Sequence, residues 1–143
     1  AEVQRIQRLF NITTIFVTHD QEDAFSVADQ IVLMNKGKIE QTSSPIDIYS
    51  NPKGEFALRF IGRSNIKRDG KIKFVRPEEI KIYSKPKQNT VQGVVEKSIF
   101  KGAIVEYHIQ TEAERLVAIE LSSGKIYNKG DKVYLDFEYK TID

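Results

Sequence analysis

Ile12-Thr13-Thr14-Ile15-Phe16-Val17-Thr18-His19-Asp20 is the stretch on which the fold turns. Every residue from Ile12 to Thr18 is β-branched or aromatic, the composition of a strand. Its near-continuous apolar character predicts a strand covered on both faces, as in a parallel sheet. His19 follows the C-terminal end of that strand, where open α/β sheets place ligand-binding groups. An imidazole there can donate a hydrogen bond to a phosphate oxygen, and Asp20 with Gln21 can fix the loop. The competing reading is a histidine that only ends a strand and caps a helix.

Working outward, Glu2 to Phe10 places Val3, Ile6, Leu9 and Phe10 on one helical face, and Asn11 can end the helix. The sequence opens inside this helix, so it reads as truncated. Downstream, Asp20 can cap a short helix running to Ala28, with Ala24, Val27 and Ala28 inward. Ile31–Met34 and Lys38–Gln41 are expected to form a hairpin around Asn35-Lys36-Gly37. Ser44-Pro45-Ile46-Asp47 is a helix start: a capping serine, a proline at the first helical position, and a carboxylate near the positive end of the dipole. After Asn51-Pro52, a second stripe of Phe56, Ala57, Phe60 and Ile61 stops at Gly62.

The texture changes near Ile66. Beyond it the expected strands are Lys71–Val75, Ile80–Tyr83, Val91–Phe100, Ile104–Gln110, Leu116–Leu121 and Lys132–Glu138, with no helix. The turn signals between them include Arg76-Pro77, Lys101-Gly102, Ser122-Ser123-Gly124 and Lys129-Gly130-Asp131. Short strands at this spacing predict a small closed barrel of the OB type.

Bulk properties narrow the function. The chain has 143 residues, 40% of them apolar and 29% charged, as in an ordinary globular protein. Its apolar runs fall far short of a membrane span. The absence of cysteine excludes disulfides, thiolate metal sites and cysteine nucleophiles. Splitting at Ile66 gives 7 − 8 = −1 and 15 − 12 = +3, neither being the bias of a dedicated nucleic-acid binder. No glycine-rich loop followed by Lys-Ser or Lys-Thr is present: Gly37-Lys38, Gly70-Lys71 and Gly124-Lys125 each precede isoleucine. No apolar strand ends in an Asp-Glu pair that could hold magnesium.

Thr13 to Ala24 resembles the histidine switch loop of ABC ATPases. Ser26–Ile31 and Met34–Gln41 resemble the helix end and hairpin that follow it. Ser44–Tyr49, Asn51-Pro52 and Phe60-Ile61-Gly62 resemble the helical hinge of the importer subfamily for maltose, polyamine, ferric iron and sulfate. Phe74-Val75-Arg76-Pro77-Glu78-Glu79-Ile80 resembles the Arg-Pro-Glu signature of their regulatory barrel, called TOBE. The sequence departs from the family at Ser43, where glycine is usual, and at Gln30, where arginine is usual. It is also short between the hinge and Val75, which predicts one compact barrel.

The resemblance implies an α+β fold: residues 1–66 as the remnant of a P-loop α/β nucleotide-binding domain, and 67–143 as an all-β OB-like TOBE barrel. It implies that His19 contacts the γ-phosphate of ATP and that Arg76, Pro77 and Glu78 mark the barrel. ATP and magnesium are the implied cofactors of the intact parent; this chain alone is expected to hold neither, to have no metal site and not to hydrolyse ATP. The implied partners are transmembrane permease subunits, a second ATPase subunit and, indirectly, an extracytoplasmic substrate-binding protein. Nucleic acid is not expected. The implied location is the cytoplasmic face of the membrane, with polyamine or ferric iron favoured as solute and the barrel serving regulation or dimerisation. Two other readings stay open: a stand-alone OB-type module for a small ligand or RNA, and a barrel that senses a small anion.

Elsewhere, His108 reads as a structural or surface residue of a strand, and Arg76, Glu78 and Glu79 as turn and edge ion pairs worth little. Phe100, Tyr107, Tyr134, Phe137 and Tyr139 read as core aromatics more than base-stacking ones. The strand Ile12–Thr18 lacks parallel neighbours within this sequence. Residues before about Asn35 are therefore expected to pair with another copy or to be partly disordered.

Overall fold

A computed structural model describes residues 2–142, which divide into two compact units, residues 2–62 and 63–142. The first begins with α1 (Glu2–Phe10), closed by Asn11 at φ 48, a left-handed value that asparagine tolerates. Its expected inward face is bare: Val3, Ile6, Leu9 and Phe10 are all exposed. The strand expected over Ile12–Thr18 does not form. A strand is stabilised by ladder hydrogen bonds and covered faces, and no described strand pairs with this one.

Local signals decide the rest of this unit. Asp20 caps α2 (Gln21–Val27), its carboxylate accepting from Asp23 N at 3.1 Å. The strands β1 (Ile31–Asn35) and β2 (Lys38–Ser43) pair antiparallel. Lys36 and Gly37, at φ 50 and 77, form a two-residue turn whose twist suits the hairpin. Ser44 caps α3 (Pro45–Ser50) through Asp47 N at 3.2 Å. The break before α4 (Glu55–Phe60) is held by buried Gln41, whose amide donates to Asn51 O and accepts from Lys53 N. Ser43, the departure from the family pattern, accepts a hydrogen bond from the same amide at 3.0 Å. Leu33, Ile48, Ala57 and Ile61 make a small core. Phe60, expected inward, is half-exposed and stacks on Phe56.

The second unit is antiparallel β. The strands β3 (Asn65–Asp69), β4 (Lys71–Val75) and β10 (Lys140–Thr141) form one sheet in the order β10-β4-β3. A second sheet has the order β5-β9-β6-β7-β8, from β5 (Lys81–Tyr83), β6 (Val91–Phe100), β7 (Ile104–Thr111), β8 (Arg115–Leu121) and β9 (Lys132–Asp136). The expected closed barrel is thus two sheets, the larger curled but with β5 and β8 as unjoined edges. The sequence reading missed β3 and β10.

Val75, Ile80, Val95, Val105, Tyr107, Ile109, Leu116, Val133 and Leu135 pack together as the core of this unit. A bulge at Glu96 interrupts β6, and the ladder resumes with Lys97 opposite His108. On the other edge of β6 the pairing with β9 runs on into the loop before β9, where Val95 N donates to Asp131 O and Gly130 N to Val95 O. Gly93 lies so close to β7 that an added Cβ would sit 2.6 Å from Ile109 Cγ2.

Candidate functional site

His19 lies on the loop between Thr18 and α2, exposed. Thr18 Oγ1 accepts from Asp20 N at 3.0 Å, and Asp20 caps the helix, so both flanks of His19 are fixed. Gln21, the first residue of α2, reaches back to the end of α4. Its Nε2 donates to Phe60 O, and its Oε1 accepts from Gly62 N at 3.1 Å. A cavity of about 80 Å³ lies between loop and helix end, lined by Thr18, His19, Gln21, Phe60 and Ile61 among others. An exposed imidazole between two anchored neighbours can present an N–H to an oxyanion.

In the second unit, Arg76, Pro77 and Glu78 share a 3-10 turn with Glu79. Arg76 corrects the sequence reading: at 1% exposure its guanidinium is buried, not an edge charge. Its Nη1 donates to Arg63 O and Ser64 Oγ at 3.1 and 2.9 Å, and the group lies over the Phe74 ring. Glu79 accepts from Arg76 N at 2.9 Å and from Lys140 Nζ at 2.6 Å. Burial pushes the Glu79 carboxyl up, but these hydrogen bonds and charges outweigh it and hold it below its ordinary value. Pro77 is buried and Glu78 exposed. Arg76 therefore anchors the chain at Arg63 and Ser64, a structural role that the geometry makes explicit.

Glu106 was not legible as a site residue. It alternates with Val105 and Tyr107 and so reads as solvent-facing, yet it is buried on the face of β7 opposite theirs. Arg63 Nη1 and Lys101 Nζ donate to its Oε1, the latter at 2.9 Å, and His108 Nε2 lies 2.8 Å from Oε2. A carboxylate only accepts, so His108 must carry its proton on Nε2. Burial pushes the Glu106 carboxyl up, but hydrogen bonds from His108, Lys101 and Arg63 overturn this and hold it at about 2. His108 is thus a partner of a buried acid, not a lone strand histidine.

Beside it, Lys97, His108, Arg115 and Lys129 line a shallow open depression in which Glu96 pairs with Arg115 at 3.0 Å. Of the aromatics, Tyr107 is buried, Phe137 and Tyr139 pack against the core, and Phe100 is exposed. Among the described residues no group of histidines and carboxylates is placed to hold a metal ion. Among them, too, no helix is long and apolar enough to cross a membrane.

Residues 74–141 match the family model described as a TOBE domain. The chain is 40% identical to a spermidine/putrescine import ATP-binding protein of Clostridioides difficile, over 76% of this chain and 38% of that protein. It is 38% identical to a protein of the same description in Clostridium acetobutylicum, over 94% and 45%. To a sulfate/thiosulfate import ATP-binding protein of Shewanella oneidensis it is 29% identical, over 98% and 48%. The chain spans less than half the length of these curated relatives.

Proposed function

The chain belongs with the ATP-binding subunits of ABC importers and carries their TOBE domain; from that premise we propose that it supplies the γ-phosphate-sensing loop and the regulatory β domain of an ATP-driven solute importer. The observation that carries this reading is the exposed His19, held between the Thr18–Asp20 hydrogen bond and the Asp20 cap. An N–H donor fixed there can distinguish a bound triphosphate from a diphosphate, because only the former places a terminal phosphate within its reach. Residues 1–66 are then the remnant of a P-loop nucleotide-binding domain. That reading also accounts for the bare apolar faces of α1 and of Ile12–Thr18, which further strands and helices of such a domain would cover.

The residues present fit one part of an ATP site. His19 can donate to the terminal phosphate. The glycine-rich loop that cradles the other phosphates and the carboxylate that holds magnesium are not in this sequence, and come from elsewhere in the assembled subunit. Magnesium-ATP would supply the transferable phosphoryl group when bound; His19 would donate to its terminal phosphate from a loop that Asp20 ties to α2. On the β domain side Arg76 fixes Arg63 and Ser64, the residues that lead into β3, and Pro77 and Glu78 belong to the turn that carries Arg76.

The closer similarity to spermidine/putrescine proteins than to the sulfate/thiosulfate protein favours a polyamine as solute. Permease subunits, a second ATP-binding subunit and an extracytoplasmic binding protein are the partners this reading calls for, at the cytoplasmic face of the membrane. The test is His19→Ala in the full-length subunit that contains this chain. Nucleotide binding should persist while steady-state ATP hydrolysis falls about 100-fold or more, the usual cost of one lost phosphate-directed donor. Unchanged turnover would overturn the reading.

A further inference from the structure

The two compact units meet at the peptide between Gly62 and Arg63. On the far side of that peptide the chain is pinned residue by residue. Arg63 donates to buried Glu106, Arg63 O and Ser64 Oγ accept from buried Arg76, and Asn65 exchanges two hydrogen bonds with Val117. On the near side one side chain holds both Phe60 O and Gly62 N, and it is Gln21, two residues from His19. Gly62 itself sits at φ 69, a conformation that glycine adopts without strain.

We propose that Gln21 is a positioning residue that links the His19 loop to the Gly62 joint, so that movement of the loop is delivered to the segment entering the β domain. The physical case rests on where freedom remains. With Arg63, Ser64 and Asn65 fixed to the β domain, the connection can turn only at or just before Gly62. There the hydrogen-bond partner of the Gly62 N–H is a side chain on the loop's own helix. Because Asp20 caps that helix, a shift of His19 and Asp20 carries Gln21 with it. Gln21 must then drag Gly62 or release it, and either outcome alters the joint. The cavity of about 80 Å³ shared by loop and helix end gives the two elements room to move. In the intact subunit this makes Gln21 the route by which nucleotide state reaches the regulatory domain, a consequence that rests on the proposed role of His19.

Hydrogen exchange tests the link in two arms. In this 143-residue chain, the Gly62 amide should exchange about tenfold faster in Gln21→Ala. In Gln21→Glu it should stay protected, since the carboxylate still accepts, while the donation to Phe60 O is lost. Equal exchange in wild type and Gln21→Ala, with both folded by circular dichroism, would overturn the link. In the full-length subunit, ATP against ADP should change exchange at residues 18–20 and 61–63 in wild type, and at 18–20 alone in Gln21→Ala. A response at 61–63 that survives Gln21→Ala sinks the coupling. No response at 18–20 in wild type instead sinks the assignment of His19, so the two failures are distinguishable.

Discussion

Asn65 holds Val117 with both ends of its side-chain amide: Val117 N donates to Oδ1 and Nδ2 donates to Val117 O, each at 2.8 Å. Val117 lies on β8, an edge of the five-stranded sheet, so a side chain from β3 occupies the place of a further strand there. The smaller sheet is thereby stitched to the open edge of the larger one, and an exposed edge is the part of a sheet most open to wrong partners.

Asn65→Ala should cost about 1 kcal/mol or more, the penalty of removing the partner of a half-buried donor and acceptor. Asn65→Asp should cost more, because an oxygen then faces Val117 O. Urea denaturation of the two variants gives the order; an Asp variant as stable as wild type contradicts the fork.

Glu106 sets an acid limit on stability. Its carboxyl is held at about 2 against an ordinary 4.5, so the folded state favours the charged form. The stabilisation is complete above about 4.5 and is lost as pH falls toward about 2. Glu106→Gln should lower stability at neutral pH and flatten the acid limb by about one proton. Denaturation midpoints from pH 7 downward measure both, and parallel curves for the two proteins would refute the assignment.

Ile15 and Val17 are 89% and 91% exposed in a β-branched run without strand partners. Such a segment is a template for intermolecular pairing. Val17→Lys should reduce concentration-dependent self-association in sedimentation experiments and change folding stability by less than about 0.5 kcal/mol.

Gly93→Ala should destabilise by about 1–3 kcal/mol, the usual cost of overpacking. The new methyl meets Ile109 Cγ2 at 2.6 Å and Gln110 O at 3.1 Å, and the backbone oxygen cannot step aside as a side chain can. Thermal unfolding of the variant reads this directly.

Elements specified by neighbours in sequence were legible. Asp20 and Ser44 cap helices because serine and aspartate reach a backbone N–H three residues on. The strands from β4 to β9 follow from alternation and turns. β3 escaped because Lys67-Arg68-Asp69 reads as a solvated link, and its strand character comes from pairing with β4. Ile12–Thr18 was overread for the opposite reason: it has strong propensity and no partner. The Arg63–Glu106 and Gln21–Gly62 links were invisible, since in each the two partners lie about forty residues apart in sequence.

The bulge in β6 also fixes the chain's arithmetic. Before Glu96 the core-facing positions are odd-numbered, Gly93 and Val95; beyond it they are even, because Ser98 and Phe100 lie opposite the core-facing Tyr107 and Val105. Loss of the single codon for Glu96 would therefore be unlike any substitution in this strand. Lys97 would then follow Val95 directly, and plain alternation would leave Gly93 against Ile109 and Ser98 and Phe100 opposite Tyr107 and Val105, whereas every substitution at Glu96 keeps the bulge.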